Sequence, residues 1–103
     1  MVQNLSQLKK KLVPGAEFQI VNHCRKENIG QRRRVTSANS QGFHSVIVDE
    51  PESKISLSNN GKGPWLGWEK ASFWKFEVNG LCSVYSSNIK YTDENLVMSI
   101  VCL

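Results

Sequence analysis

Hydrophobic residues at the N-terminus recur with the spacing of a helix. The apolar stripe consists of Leu5, Leu8 and Leu12, and lysines occupy the opposite side. Asn4 or Ser6 can cap the helix, and Pro14 with Gly15 ends it, because proline cannot continue the hydrogen-bond ladder. We therefore predict a short helix within residues 3–13, which must pack on the rest of the protein because so short a helix is marginal alone.

From residue 16 onward, apolar and polar residues alternate with a period of two, as in half-buried strands. In the first of these strands Phe18 and Ile20 face one side, and Glu17 and Gln19 face the other. The same pattern predicts further strands at residues 31–37, 43–48, 73–78, 81–86 and 96–102, and a short one that contains Ile55 and Leu57. Polar loops are expected at residues 25–30 and 58–64.

Asn79-Gly80 separates two of these alternating segments. An Asn-Gly pair between alternating strands is the strongest short-range signal for a β-hairpin, because a type I′ turn needs positive φ at both central positions. We predict a tight hairpin with this turn.

These elements predict a mainly β (α+β) fold in one domain, residues 1–103. One short N-terminal helix precedes six or seven short strands across residues 16–102, which form a small antiparallel, SH3-like barrel or a bent sheet. The last strand, 96–102, is apolar on both sides, so we expect it to be central or barrel-closing. It can also complete a homodimer.

Composition fits an ordinary globular protein, with 40% hydrophobic and 21% charged residues. No apolar run approaches the roughly 20 residues of a membrane span, and Pro14 and Gly15 interrupt any secretory signal. We therefore expect a cytoplasmic protein without a membrane partner. Cys24, Cys82 and Cys102 form no CxxC pair and are expected to be buried free thiols, with no metal and no cofactor.

The net charge of +4 is concentrated in the first third of the chain. Arg32, Arg33 and Arg34 can attract phosphate, carboxylate or an acidic protein surface, although on a strand Arg32 and Arg34 share one face and Arg33 lies on the other. Arg25 and Lys26 can extend this patch. The alternative is a solvated strand whose charges only protect it against aggregation.

Five of the nine aromatic residues, including every tryptophan, lie between residues 65 and 76. Trp74 and Phe76 share the face of a strand and are expected in the core. Trp65 and Trp68 lie next to a glycine-rich loop that contains Lys62, so we expect at least one of them to be partly exposed. An exposed tryptophan beside lysine can stack a base or anchor a protein partner.

Little in the sequence supports catalysis. His23 and His44 are the only histidines, and neither has a neighbouring nucleophile or a metal-ligand pattern. His44 alternates with Val46 and Val48, so we expect a hydrogen-bonded histidine in the core or at its rim. We therefore expect a binding protein rather than an enzyme.

Residues 61–76, together with Leu8-Lys-Lys-Lys-Leu12 and Gly30-Gln-Arg, resemble short uncharacterised proteins of phages and mobile elements of Gram-positive bacteria. The resemblance spans most of the chain. It implies no particular activity, although such elements carry many small proteins that bind nucleic acid or block host defence nucleases.

Two hypotheses follow for the function. In the first, the protein binds nucleic acid through a basic patch with aromatic support. In the second, it is a protein-interaction module, an anti-CRISPR-like inhibitor of a host defence nuclease complex, whose partner is an acidic or nucleic-acid-binding protein. Both use the same candidate residues: Arg25, Lys26, Arg32, Arg33, Arg34, Lys62, Trp65 and Trp68.

Overall fold

A seven-stranded antiparallel sheet forms the framework of the protein, which a computed structural model describes over residues 1–103. The mainly β prediction is confirmed. The helices and strands are α1 (Leu5–Lys11), β1 (Glu17–His23), β2 (Arg32–Ala38), β3 (Gly42–Ile47), α2 (Lys54–Gly61), β4 (Trp65–Gly67), β5 (Trp74–Phe76), β6 (Cys82–Tyr85) and β7 (Leu96–Cys102).

The strand order is β4-β3-β2-β1-β7-β6-β5, so β4 and β5 are the two edges. The sheet is bent and does not close into a barrel, because no strand pairing joins β4 to β5. Strand β7 pairs with β1 on one side and β6 on the other, which confirms its predicted central place. Both of its edges are therefore used within the chain, and neither is free to pair with a second copy.

The core lies between the inner face of the bent sheet and α1. Asn4 caps α1, as one of the two predicted caps, by accepting a hydrogen bond from the backbone N–H of Gln7. The core cluster includes the apolar stripe of α1 and alternate residues of the central strands: Leu5, Leu8, Leu12, Phe18, Ile20, Val35, Phe43 and Ile100. We call the face that bears these strand residues the inner face and the opposite one the outer face.

The predicted strand containing Ile55 and Leu57 is wrong, since these residues lie in the single helical turn that opens α2. Ser53 caps this turn by accepting a hydrogen bond from the backbone N–H of Ser56. Asn59 and Asn60 then adopt positive φ and end it. The alternation misled because both apolar side chains are exposed rather than packed against the sheet.

The β5–β6 hairpin forms as predicted, but its turn is of another type. Glu77 accepts a hydrogen bond from the N–H of Gly80, and only Gly80 has positive φ, whereas Asn79 does not. Glu77 N–H in turn donates to Leu81, which gives a three-residue loop of a type I turn followed by a glycine in the left-handed region. The Asn-Gly pair therefore lies one position later in the turn than a type I′ turn requires.

Only one of the three cysteines is fully buried. Burial and the neighbouring Cys102 raise the pKa of Cys82 to about 11, so its thiol stays protonated and packs as an apolar group. Cys102 is half-buried, and Cys24 is exposed, contrary to expectation, because it follows the end of β1 in a turn.

Neither helix is long and apolar enough to span a membrane.

Ser56 ties α2 to the sheet, and its removal tests this attachment. Its buried hydroxyl accepts from the N–H of Ile47 at 3.0 Å and donates to the backbone oxygen of Glu50 at 2.8 Å. We predict that Ser56→Ala lowers the free energy of unfolding by about 1–3 kcal/mol, because it leaves buried backbone groups unpaired. Urea denaturation measures the loss. Exposed Ser72→Ala is the control, and equal stability of the two variants would contradict the assignment.

Candidate functional site

The alternation along β2 sends its arginines to opposite faces of the sheet. Arg32 and Arg34 lie on the outer face, with side chains 45% and 48% exposed. Arg33 lies opposite Phe18 on the inner face and is only 4% exposed. The predicted division of the three arginines is confirmed, and they cannot form one patch.

On the outer face, a single carboxylate lies between the two exposed arginines. Arg32 Nε is 3.2 Å from Glu17 Oε1, and an Nη of Arg34 is 3.1 Å from Oε2. Glu17 offsets one of the two positive charges and holds both guanidinium groups on neighbouring positions of the face. Exposed ion pairs of this kind contribute only about 0–1 kcal/mol, so they order the arginines more than they stabilise the fold.

Trp65 is 43% exposed and pairs with His44 on the outer face. The two ring centroids are 4.8 Å apart, and His44 Nδ1 is 2.8 Å from the hydroxyl of Ser37. The missing side chain of Gly42 makes room for the indole, since a Cβ there would lie 2.5 Å from Cζ2 of Trp65. His44 is a hydrogen-bonded rim residue, as expected, and Trp65 is the partly exposed tryptophan.

The backbone of Lys62 lies next to β2, because its carbonyl oxygen accepts a hydrogen bond from the hydroxyl of Thr36. Arg34 pairs with Val46 and Ser37 pairs with His44, because a register shift between Val35 and Ser37 places Arg34 and Ser37 on one face although they are three residues apart. Val46 and His44 are two residues apart on β3, about 7 Å in an extended strand. The guanidinium of Arg34 and the rings of His44 and Trp65 thus lie next to one another on the outer face. We call the set Arg32, Arg34, His44, Lys62 and Trp65 the outer track.

Trp68 cannot serve as the binding platform proposed for it, because it is buried, with 2% exposure. Its ring packs 4.8 Å from Phe43, and its Nε1 donates to the backbone oxygen of Asn39 at 2.8 Å. The side chain fills the core under β3. The sequence leaves both burial and exposure open for Trp68, because this residue lies outside any strand, where alternation gives no indication of burial.

Arg33 lines a pocket of about 250 Å³ on the inner side of the sheet. Phe18, Phe43, Leu66 and Met98 supply apolar walls. The polar side chains around it are His23, Arg25, Asn28, Arg33 and Ser45. We call it the inner pocket, and no acidic residue lines it.

The guanidinium of Arg33 is held by neutral partners only. Gln31 Oε1 accepts from Nε at 3.0 Å and from one Nη at 2.7 Å, and Ser45 Oγ lies 3.4 Å from the other Nη. Burial lowers the pKa of Arg33, but a guanidinium remains protonated at neutral pH. Of its five N–H groups, these bonds use three, so two remain without a protein acceptor.

His23 and Asn28 border the inner pocket as a linked pair. His23 Nδ1 accepts from the backbone N–H of Arg25 at 2.9 Å, so the neutral ring carries its proton on Nε2, which lies 3.4 Å from the side-chain nitrogen Nδ2 of Asn28. This N–H needs an acceptor, so we assign the Asn28 side chain with its oxygen toward His23 Nε2 and its NH₂ group away from the ring. Asn28 is 7% exposed and its side-chain oxygen otherwise has no partner.

The sequence does not predict the inner pocket. Arg25 and Lys26, the predicted extensions of an exposed patch, are both exposed in the turn after β1. Arg25 also borders the inner pocket. The one available signal was Arg33, an arginine in phase with Val35 on the apolar side of a strand. His23 and Asn28 gave none, because the turn that brings them to Arg33 has no periodic pattern.

No group of three or more His, Cys, Asp or Glu side chains is arranged to hold a metal ion. Comparisons with protein-family models, curated proteins and solved structures found no match to this chain. Functional inference therefore rests on the outer track and the inner pocket themselves.

Gly42 is predicted to determine the position of Trp65. Gly42→Ala should lower the free energy of unfolding by about 1–3 kcal/mol, because the new methyl group overlaps the indole and the backbone of Leu66. It should also increase acrylamide quenching, since Trp65 is the exposed tryptophan. Gly67→Ala is a matched control on the facing strand, where an added Cβ meets nothing nearer than 3.6 Å. Equal behaviour of the two variants would contradict this role.

Protonation of His23 is predicted to destabilise the fold. Burial lowers its pKa from 6.5, and the charges of Arg33 and Arg25 lower it further, while Glu27 opposes the shift. Between the folded-state pKa and 6.5 the unfolded chain binds more protons, so stability falls as pH drops through this window. Denaturant unfolding from pH 8 to 5 should show the loss, and His23→Gln should reduce it. An unchanged pH profile in His23→Gln would refute the prediction.

Proposed function

We propose that the protein is a non-enzymatic cytoplasmic binding protein that holds single-stranded nucleic acid along its outer track. The observation that carries the proposal is the half-exposed indole of Trp65 on the same face as Arg32 and Arg34. A base that stacks on an indole must be unpaired, so this arrangement favours a single strand over a duplex.

Cations and aromatic surface have complementary tasks on the outer track. The guanidinium groups of Arg32 and Arg34 and the ammonium group of Lys62 attract the phosphate backbone, and Trp65 supplies the stacking surface. The ring of His44 contacts the indole of Trp65, with the two ring centroids 4.8 Å apart, so the indole is already ordered before a base binds. Glu17 limits the net charge, which suits moderate, salt-sensitive binding.

The proposal is tested by fluorescence anisotropy with a labelled single-stranded oligonucleotide that has hydroxyl ends, against a duplex of the same sequence. Trp65→Ala should weaken binding about ten-fold or more, because stacking contributes about 1–3 kcal/mol per base. Arg32→Gln with Arg34→Gln should lower the slope of log affinity against log salt by about 1.4, since each single-strand phosphate contact contributes about 0.7.

Lys90→Gln is the control for loss of a positive charge outside the outer track, because Lys90 is exposed and has no side-chain partner. It should leave both affinity and salt slope close to those of the wild type. Affinity weaker than about 100 µM in low salt would overturn the proposal, as would equal binding by Trp65→Ala and the wild type.

One observation favours the second candidate, a protein partner. Glu17 lies between Arg32 and Arg34, so the surface beside Trp65 carries charges of both signs, as the rims of protein interfaces often do. An inhibitor of a host defence nuclease complex would use Trp65 as its anchor. Capture of a bacterial protein that survives nuclease treatment and is lost in Trp65→Ala would support this candidate over nucleic acid.

A further inference from the structure

The inner pocket holds a positive charge that nothing in the chain neutralises. The ion pairs of the protein join Arg32 and Arg34 to Glu17 and Lys75 to Glu77, and none involves Arg33. Burying a charge without a counter-ion is strongly unfavourable. The pocket is therefore better suited to an anion from outside than to remaining without one.

Hydrogen-bond donors converge on the same space. Arg33 has two N–H groups without a protein acceptor, and the side-chain oxygen of buried Asn28 has no partner while its nitrogen lies next to His23 Nε2. Exchanging the positions of this oxygen and nitrogen gives the oxygen a donor in the Nε2–H of His23. With the Asn28 oxygen turned to His23, its NH₂ group joins the guanidinium as a donor. Arg25 adds a second permanent charge at the exposed rim.

Charge balance and size select the ligand. Two guanidinium groups and no carboxylate border the pocket, so a dianion fits better than a carboxylate, and a phosphate monoester carries about −1.5 to −2 at neutral pH. A volume of about 250 Å³ exceeds what one phosphate group fills. Phe18, Phe43 and Leu66 then contact the organic group attached to it.

We propose that the inner pocket binds a phosphate group, which is borne either by a mononucleotide or by the end of a nucleic-acid strand. Both sources present the same dianion to Arg33. The mononucleotide source does not require the cations of the outer track, although Trp65 borders the inner pocket as well. The strand-end source rests on the proposed function. Strand β4 links the two sites, because Trp65 contacts the outer-face residue His44 and Leu66 lies opposite Phe43 on the inner face.

Binding is tested by NMR titration of ¹⁵N-labelled protein with inorganic phosphate, with AMP and with adenosine, which lacks the phosphate. Phosphate and AMP should shift the amide signals of residues 23–28, 33 and 45, and adenosine should not. Arg33→Met should weaken phosphate binding at least about ten-fold, because it removes charged hydrogen bonds. Lys90→Gln removes an exposed positive charge that borders neither site, so it is the control and should bind phosphate as the wild type does.

Folding of Arg33→Met is checked by thermal unfolding, since an apolar residue of similar length commonly replaces a buried charge without loss of stability. A second variant, Asn28→Asp, is nearly isosteric and adds a negative charge to the pocket that Arg33 lines, so it should also abolish phosphate binding. Absence of shifts at millimolar phosphate and AMP would overturn the proposal. So would binding that persists in both folded variants.

The two sources are separated with oligonucleotides that differ only in a 5′-phosphate or a 5′-hydroxyl. Tighter binding of the phosphorylated strand that disappears in Arg33→Met supports the strand end. Equal binding of both oligonucleotides, with AMP still bound, supports the mononucleotide. If no oligonucleotide binds to the wild type while AMP still does, the outer-track proposal fails and the pocket proposal stands.

Discussion

The curl of the sheet depends on Trp68, which joins parts of the chain that share no backbone pairing. Its ring contacts Phe43 of β3, its backbone oxygen accepts from the indole N–H of Trp74 in β5, and Lys9 of α1 lies 5.9 Å from its ring. A flat sheet would leave the inner face open to water. Trp68 therefore connects both halves of the sheet and α1 around one core.

The two candidate sites result from one property of strands, the alternation of side chains between faces. Arg32 and Arg34 reach water and a shared carboxylate, whereas Arg33 enters a region of lower dielectric where the same guanidinium has stronger electrostatic effects. Burial is the main cause of the lowered pKa of His23, and the charge of Arg33 lowers this pKa further. The three consecutive arginines therefore have different surroundings. Arg32 and Arg34 are exposed and pair with Glu17, whereas Arg33 is buried and has no acidic neighbour.

Much of the framework was predictable because local periodicity was strong. The stripe of α1, the central position of β7 and the split of the β2 arginines all follow from spacing alone. Prediction failed where tertiary contacts decide the outcome. Leu57 alternates like a strand residue but lies in a capped helical turn, and the inner pocket joins the turn at Asn28 to β2. Which of Trp65 and Trp68 is buried was left open by the sequence, because packing from distant segments decides it.

Strands β4 and β5, the two edges of the sheet, are only three residues long each. An edge strand exposes unpaired backbone groups, and long flat edges are templates on which further chains can add and aggregate. Here each edge offers so few groups that strand addition by another molecule gains little, and the longer, more apolar β7 is enclosed between neighbours. The bent, unclosed sheet thus gains much of the resistance to fibril-like association that a closed barrel provides.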